Sequence, residues 1–187
     1  MALDFKDVLR RLKPEKRREQ LRPRPVSQLA FLGQSSAKHA KLLYDTTVYI
    51  DILQGRFPRN ADVALRAADA WHSTVTEAEL SAICGLLDPA HPGSRTIVER
   101  VAAVIARRPA HRTITPDREI WLESGVLAGM LGRLQRYGSA DRRRILNDAL
   151  LFSTARKHGL TVLTRNLTDF DLLQQLDPAG RAVFYNI

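Results

Sequence analysis

The sequence predicts an α/β protein built on an open parallel sheet of about five short strands, with helices on its faces. Two observations lead to this prediction. From residue 42 onward, short apolar runs alternate with longer segments of helical periodicity, which is typical of chains made of βαβ units. The length of 187 residues supports one substantial core and is too short for two ordinary domains.

The strands and helices follow from periodicity and from stop signals. The apolar runs that predict strands are residues 42–44, 72–75, 112–115, 161–164 and 182–185. Residues 47–54 are rich in β-branched side chains, which suits a strand, but Gly55 stops the segment after about two turns and favours a helix. Pro116 suits the first turn of a helix that runs to residue 136. Further helices are predicted at residues 61–70, 76–87, 95–107, 139–158 and 169–176.

The charge is basic and unevenly placed. The 29 Lys and Arg residues outnumber 20 Asp and Glu residues, and the net charge of +9 favours polyanionic partners such as nucleic acid or acidic protein segments. Ten of these basic residues lie in residues 1–40, which we interpret as a basic N-terminal extension before a domain at residues 41–187. Three interpretations of the extension are open: it docks on the domain, it binds phosphates, or its charges are simply solvated. Solvation is the favoured interpretation.

Several function classes are excluded. A single cysteine, Cys84, rules out an internal disulfide framework and a cysteine-rich zinc site. No apolar run is long enough to span a membrane and no secretory signal is visible, so we expect a cytoplasmic protein. The five histidines show no metal-ligand spacing, and Trp71 and Trp121 are expected to pack in the core at helix edges.

Three acids lie just beyond predicted strands, where an open parallel sheet binds its ligands. Asp45 directly follows the first strand, Glu79 follows the second, and Asp169 begins the helix after the fourth. Each also suits a helix-capping role when taken alone. Asp45 suits an N-cap, Glu79 completes a capping box with Thr76, and a carboxylate at position 169 would be stabilised by the helix dipole.

Asp148 favours a metal site over these separate capping roles. It shares one helix face with Ile145, Ala149 and Phe152, so a carboxylate lies within an apolar stripe. A buried carboxylate needs a cation, an Arg or Lys partner, or a proton. A metal ion would serve several converging acids at once, and an all-oxygen cluster suits Mg²⁺ or Mn²⁺.

Four segments of the chain resemble, in order and spacing, the PIN-domain ribonucleases, and above all the VapC toxins of bacterial toxin–antitoxin pairs. The segments are LYDTT at 43–47, VTEAEL at 75–80 with Gly85 following, NDALL at 147–151 and LTRNLTDF at 163–170. The resemblance spans about residues 42–187, and the last segment is the most specific. It implies a PIN-like fold and a metal-dependent endoribonuclease that hydrolyses RNA.

The resemblance also implies roles for individual residues. The quartet that binds divalent metal, Mg²⁺ or Mn²⁺, would be Asp45, Glu79, Asp148 and Asp169. Polar residues that would support it are Thr46, Thr47, Thr164 and Asn166, of which Thr47 departs from the usual Asn or Ser. Neighbouring acids compete for these roles, namely Glu77, Asp51 and Asp171, and the motif match favours the quartet.

The implied partners are an RNA substrate, a VapB-like antitoxin and a second copy of the chain. Arginines that would position RNA are Arg142, Arg143, Arg144 and Arg165. For the three consecutive arginines, a solvated helix face and the binding of an acidic antitoxin tail remain open. The long helices between the first and second strands are the candidate dimer surface. An arginine of the antitoxin that enters the acidic pocket would displace the metal.

Two other α/β families that carry an aspartate after a strand fit this sequence less well. A haloacid-dehalogenase phosphatase needs an aspartate where this chain has Thr47. A response-regulator receiver needs a phosphoacceptor on a middle strand and a late lysine, whereas the fourth strand here leads to Thr164 and Arg165. The remaining alternative is a catalytically silent PIN-fold module that binds RNA or protein, and the presence of all four acids argues against it.

Overall fold

Five parallel strands form one sheet in the computed structural model, which describes residues 4–33 and 40–186. The strands are β1 (Lys41–Tyr44), β2 (Asp69–Ser73), β3 (Thr113–Ile114), β4 (Thr161–Thr164) and β5 (Ala182–Phe184). Their order is β3-β2-β1-β4-β5, which confirms the predicted parallel α/β architecture. The order reverses between β1 and β4, so the crevice beyond their carboxyl ends is where such a sheet binds ligands.

Helices cover both faces of this sheet. The helices of the described residues are α1 (Phe5–Leu12), α2 (Thr46–Leu53), α3 (Arg59–Ala67), α4 (Thr74–Leu86), α5 (Ser94–Ala106), α6 (Arg118–Gln135), α7 (Asp141–Lys157) and α8 (Leu167–Leu176). None of them combines the length and the apolarity that crossing a membrane requires.

The core has two layers, as expected when side chains alternate across a strand. Leu43 of β1 packs with apolar residues of α1, α6, α7 and α8 on one face. Its neighbours Leu42 and Tyr44 pack with residues of α2, α4 and α5 on the other face. Because both faces of β1 are buried, the end of this strand is a rigid base for the residue that follows it.

Several element boundaries differ from the prediction. The helix predicted at residues 61–70 ends at Ala67, and residues 69 and 70 belong to β2. Two other boundaries differ because polar side chains cap the helices. Ser73 is the N-cap of α4, and its Oγ accepts a hydrogen bond from the N–H of Val75 (3.2 Å). Val75 therefore lies in the first turn of α4 rather than at the end of β2. Asp117 caps α6 by accepting from the N–H of Ile120 (3.0 Å), so Pro116 precedes the helix instead of opening it.

The N-terminal extension docks on the domain through α1. Val8 and Leu12 are each 1% exposed, and they belong to the same core cluster as Leu127 and Leu131 of α6. Lys13 ends the helix in the left-handed conformation, with φ at +50°. The apolar face of α1 therefore forms part of the main core. Residues 34–39, with Lys38 and His39, lie outside the described residues.

A buried ion-pair network fixes α1 in place. Arg11 contacts Glu123 of α6 (2.8 Å) and also pairs with Asp177, which follows α8. Arg156 of α7 contacts the same two carboxylates, and both acids are buried. Solvated charge was therefore the wrong interpretation for this part of the extension, whereas docking, the alternative, is observed.

The rest of the described extension runs along α8 and the edge of the sheet. The main-chain N–H of Arg24 donates to the buried carboxylate of Asp171 on α8 (2.7 Å), and its guanidinium pairs with the same group. Further along, Phe31 forms a parallel bridge with Phe184 of β5. This bridge covers part of a sheet edge that would otherwise expose unpaired backbone groups.

Candidate active site

The structure places the four predicted acids around one crevice, beyond the carboxyl ends of β1 and β4. Asp45 follows β1, Glu79 projects from the second turn of α4, Asp148 from the middle of α7, and Asp169 from the first turn of α8. Asp45, Asp148 and Asp169 are each less than 8% exposed. The pKa of Asp148 lies well above its ordinary value, chiefly because of burial and then because of the charges of Asp45, Asp169 and Glu79. The four carboxylates therefore repel one another.

Three donors hold Asp45. Its Oδ1 accepts from the N–H of Thr46 (2.7 Å), and its Oδ2 accepts from the hydroxyls of Thr47 and Thr164 (2.7 Å each). Burial nevertheless outweighs these hydrogen bonds and raises the pKa of Asp45 above its usual range. Asp45 is also the N-cap of α2, so the capping role and the place in the acidic cluster belong to the same side chain.

Glu79 does not take part in a capping box, and that alternative is wrong. Thr76 lies inside α4, and its hydroxyl donates to the carbonyl of the last residue of β1 (3.3 Å). The two oxygens of Glu79 accept instead from the hydroxyl of Thr46 and from Nδ2 of Asn147 (2.8 Å). Burial raises the pKa of Glu79. Asn147 was not assigned a role from the sequence, although it directly precedes the acid of α7 within a matched segment.

Asn166 links two of the acids. Its Nδ2 donates to Oδ2 of Asp148 (3.1 Å) and to Oδ2 of Asp169 (2.9 Å), while its Oδ1 caps α8 by accepting from the N–H of Asp169 (3.3 Å). Thr164 accepts from the N–H of Asn166 (2.9 Å) and donates to the acid after β1. The hydroxyl of Tyr137 also donates to Asp169 (3.0 Å), a contact that the sequence did not reveal.

The four predicted arginines lie in different environments. Arg144 pairs with Asp169 and lies 3.8 Å from Asp148, so its guanidinium belongs to the acidic cluster itself. Nε of Arg165 donates to buried Asp51 instead (2.8 Å). The remaining two, Arg142 and Arg143, are exposed and make no ion pair or side-chain hydrogen bond within residues 4–33 and 40–186.

The three competing acids have partners outside the cluster. Glu77 lies 3.6 Å from the guanidinium of Arg108. Asp171 is bound by the N-terminal extension through Arg24. The third acid, Asp51, accepts hydrogen bonds from Arg56, Arg165 and Tyr185. Each of these carboxylates is therefore neutralised by a nearby cation.

Comparison with known proteins places this architecture in a family. Residues 42–173, well over half of the chain, match the family model described as PIN domain. The chain belongs to the PIN domain family. A search of curated proteins found no match.

Three solved structures share the fold over 78% of this chain. FitAcB from Neisseria gonorrhoeae aligns with a TM-score of 0.56 and 21% identity over 96% of its own chain. DNA-bound VapBC from Salmonella typhimurium has a TM-score of 0.55 and 19% identity over 98% of its chain. VapBC2 from Rickettsia felis, bound to a promoter DNA fragment, has a TM-score of 0.54 and 15% identity over 98% of its chain. At these identities the likeness concerns the fold.

The donor chemistry of this PIN domain site fits a hard divalent cation. All four candidate ligands are carboxylates, and Mg²⁺ and Mn²⁺ prefer oxygen. Their mutual repulsion is the electrostatic cost that a bound cation would relieve. Within residues 4–33 and 40–186, however, no three acidic, histidine or cysteine side chains converge closely enough to hold a metal ion. The carboxylates are satisfied by hydroxyl, amide and guanidinium donors instead.

The raised pKa of Asp148 predicts how the stability of the metal-free PIN domain depends on pH. A buried carboxyl whose pKa is raised in the folded state favours folding while it is protonated. The free energy of unfolding should therefore fall as pH rises from about 4 through the pKa of Asp148. Asp148→Asn should flatten this fall and make the metal-free protein more stable than the wild type at pH 8.

Urea unfolding in EDTA between pH 4 and 8 measures this effect. Asp141→Asn is the matched control, because Asp141 lies on the same helix but is half-exposed and outside the quartet. Equal pH dependence of the wild type and Asp148→Asn would show that Asp148 has an ordinary pKa in the folded protein.

A cleft of about 880 Å³ opens beside the acids of the PIN domain. Glu79, Asn147 and Arg144 line it where it meets the acidic cluster. Trp121 also lines the cleft and is 50% exposed, so the expectation that it packs in the core is wrong. Trp71 lies in β2 and packs against the main core.

Proposed function

We propose that this chain is a metal-dependent endoribonuclease that hydrolyses RNA phosphodiester bonds and is the toxin of a toxin–antitoxin pair. The observation that carries the proposal is the cluster of four mutually repelling carboxylates. It lies where the strand order of the PIN-domain sheet reverses, between β1 and β4. Nucleases of this family generally use divalent metal ions. The three competing acids are each paired with an arginine, whereas the four carboxylates of the quartet have only Arg144 beside them.

The residues that would hold the ion are Asp45, Glu79, Asp148 and Asp169, with Mg²⁺ or Mn²⁺ as the expected metal. A divalent ion bound there would lower the pKa of a water molecule and stabilise charge on the leaving oxygen.

The supporting side chains keep the carboxylates in place. Thr46 and Asn147 orient Glu79, while Asn166 orients Asp148 and Asp169. Outer partners of this kind fix ligand orientation and tune metal affinity. Arg144 lies on Asp169, so it neutralises part of the cluster when no metal is bound and is placed to meet a phosphate beside it. The hydroxyls of Thr47 and Thr164 both donate to Oδ2 of Asp45.

The proposed partner is a VapB-like antitoxin, because the solved relatives are described as VapBC and FitAB assemblies. Homodimer formation remains part of the proposal. The helices between β1 and β2 are the predicted dimer surface. They are α2 and α3, which have 8 and 9 residues, so the expectation that they are long is wrong, and Val63 of α3 exposes an apolar side chain there.

A catalytically silent PIN module that binds RNA or protein is the second candidate. Two observations favour it: Arg144 already pairs with Asp169, and no three metal-ligating side chains converge in the described residues. The two candidates differ in one respect that experiment can measure, namely turnover of RNA.

The test is incubation of the purified chain with a panel of tRNAs and other structured RNAs, in Mg²⁺, in Mn²⁺ or in EDTA. Cleavage is expected only with metal, and the products should lack 2′,3′-cyclic phosphates because water, not the 2′-hydroxyl, is the nucleophile. Cleavage that persists in EDTA or leaves cyclic ends would contradict a metal-dependent hydrolase. RNA binding without any cleavage would favour the silent module.

A further inference from the structure

The cleft beside the acidic cluster has the size and lining of a ligand site. Its volume of about 880 Å³ lies within the range of small-molecule pockets in proteins, about 300–1,000 Å³. Residues of α2, α4, α6 and α7 and of the segment before α6 form its walls, with apolar side chains such as Ile50, Ile83 and Pro116. Because Glu79 lines the same cleft, a molecule bound in the cleft would also reach the acidic cluster.

Trp121 presents a large aromatic surface in this cleft. It lies in the first turn of α6, and half of its surface is exposed. The hydrophobic clusters formed by the described residues do not include it, whereas Trp71 packs against one of them. An indole that contributes little to the core and faces a cleft is suited to stacking, and every nucleobase has a face that can stack on it.

The charges of the cleft fit a nucleotide. Arg143 lies in the same wall, at the start of α7, and has no ion-pair partner among residues 4–33 and 40–186. Arg144 follows it and reaches the acids. The cleft therefore offers an aromatic surface for a base and a free guanidinium for a phosphate, next to carboxylates proposed to bind the metal.

We propose that Trp121 and Arg143 form a binding subsite for an unpaired nucleotide of the RNA substrate, in which the base stacks on the indole and Arg143 holds a phosphate. The proposal rests on the proposed function and specifies its substrate. The nucleotide must be unpaired, because a base within an A-form helix is already stacked on both sides and cannot reach the indole. RNA loops and single-stranded segments are the chemical class that fits this cleft.

The first measurement is Trp121 fluorescence. The chain has two tryptophans, so Trp71→Phe leaves Trp121 as the only indole. In EDTA, where no hydrolysis is expected, an octauridylate should quench this fluorescence saturably. The same octamer made of abasic ribose phosphates should bind through charge alone and leave the fluorescence unquenched.

The second measurement is octamer affinity, followed by fluorescence anisotropy of a labelled octamer in EDTA. Trp121→Ala should weaken octauridylate binding by about tenfold to a hundredfold, the loss of one base stack. Trp121→Phe should retain most of the affinity because phenylalanine also stacks. Leu86→Ala is the matched control, since Leu86 is 85% exposed on α4 and does not line the cleft. Binding of the abasic octamer should not depend on position 121.

Equal octauridylate affinities of the wild type and Trp121→Ala would overturn the proposal. If Trp121→Ala instead halves the mass measured by light scattering without changing RNA affinity, a second copy of the chain covers the cleft and the proposal is also wrong. Because binding is measured without metal, these outcomes are separate from the nuclease proposal. RNA cleavage that does not depend on Trp121 would contradict only the subsite proposal. Stacking on Trp121 without any RNA cleavage would contradict only the nuclease proposal.

Discussion

Asp148→Asn is expected to reduce metal-dependent RNA cleavage by on the order of 10³-fold, the effect of removing a principal electrostatic group from an active site. Asparagine has nearly the same shape as aspartate but lacks the charge that would hold a cation. Asp148 lies in the middle of α7, where the charges of the other three acids act on it. The variant should fold, because the repulsion within the cluster falls.

Cleavage rates under single-turnover conditions measure this loss, and unfolding in EDTA shows whether the fold is retained. Asp141→Asn should keep its cleavage activity, since Asp141 lies on the same helix but outside the quartet. A variant Asp148→Asn that cleaves RNA like the wild type would contradict the proposed role of the quartet.

Leu12→Ala is expected to lower the free energy of unfolding by about 2–5 kcal/mol, the range for large-to-small substitutions in a packed core. Leu12 is 1% exposed and lies on α1, within the core cluster formed with α6, α7 and α8. The prediction follows from the docking of the N-terminal extension, which makes α1 part of the folded body.

Urea unfolding of the wild type and Leu12→Ala measures this difference. Arg18→Ala is the control on the same extension, because Arg18 is exposed and should change stability by less than about 0.5 kcal/mol. If both variants were as stable as the wild type, α1 would not be packed in solution as it is in the structure.

The sequence predicted the sheet and most helices because local patterns determine them. Apolar runs and glycine stops depend on neighbours along the chain, and Gly159 indeed follows α7 with φ at +67°. Boundaries were less accurate where a residue suited two elements. Val75 is β-branched and apolar, as strand residues are, but the Ser73 cap draws it into α4.

Docking of the extension could not be predicted from charge alone. Its basic residues suggested solvation, yet Arg11 pairs with two buried acids that lie more than 100 residues away in the chain. The position of Trp121 could not be predicted for the same reason. An isolated tryptophan favours a core position by composition, and only the packing of four helices shows that this one lines a cleft.

The acids of the candidate site could be proposed from order and spacing, because each lies beside a strand end or on a clear helix face. The side chains that bind these acids could not be proposed in this way. Asn147 meets Glu79 across 68 residues, and Tyr137 meets Asp169 across 32, so these pairs exist only in three dimensions. The placement of Arg144 on Asp169 likewise depends on how α7 packs beside α8.

The most direct test of the central claim is a calorimetric titration of the metal-free protein with Mn²⁺ at pH 8. The account predicts a saturable binding isotherm for the wild type and Asp141→Asn, and a loss of binding in Asp148→Asn, which should nevertheless be the more stable protein in EDTA. Absence of Mn²⁺ binding to the wild type, or equal binding to Asp148→Asn, would contradict the claim that the four carboxylates form a metal site.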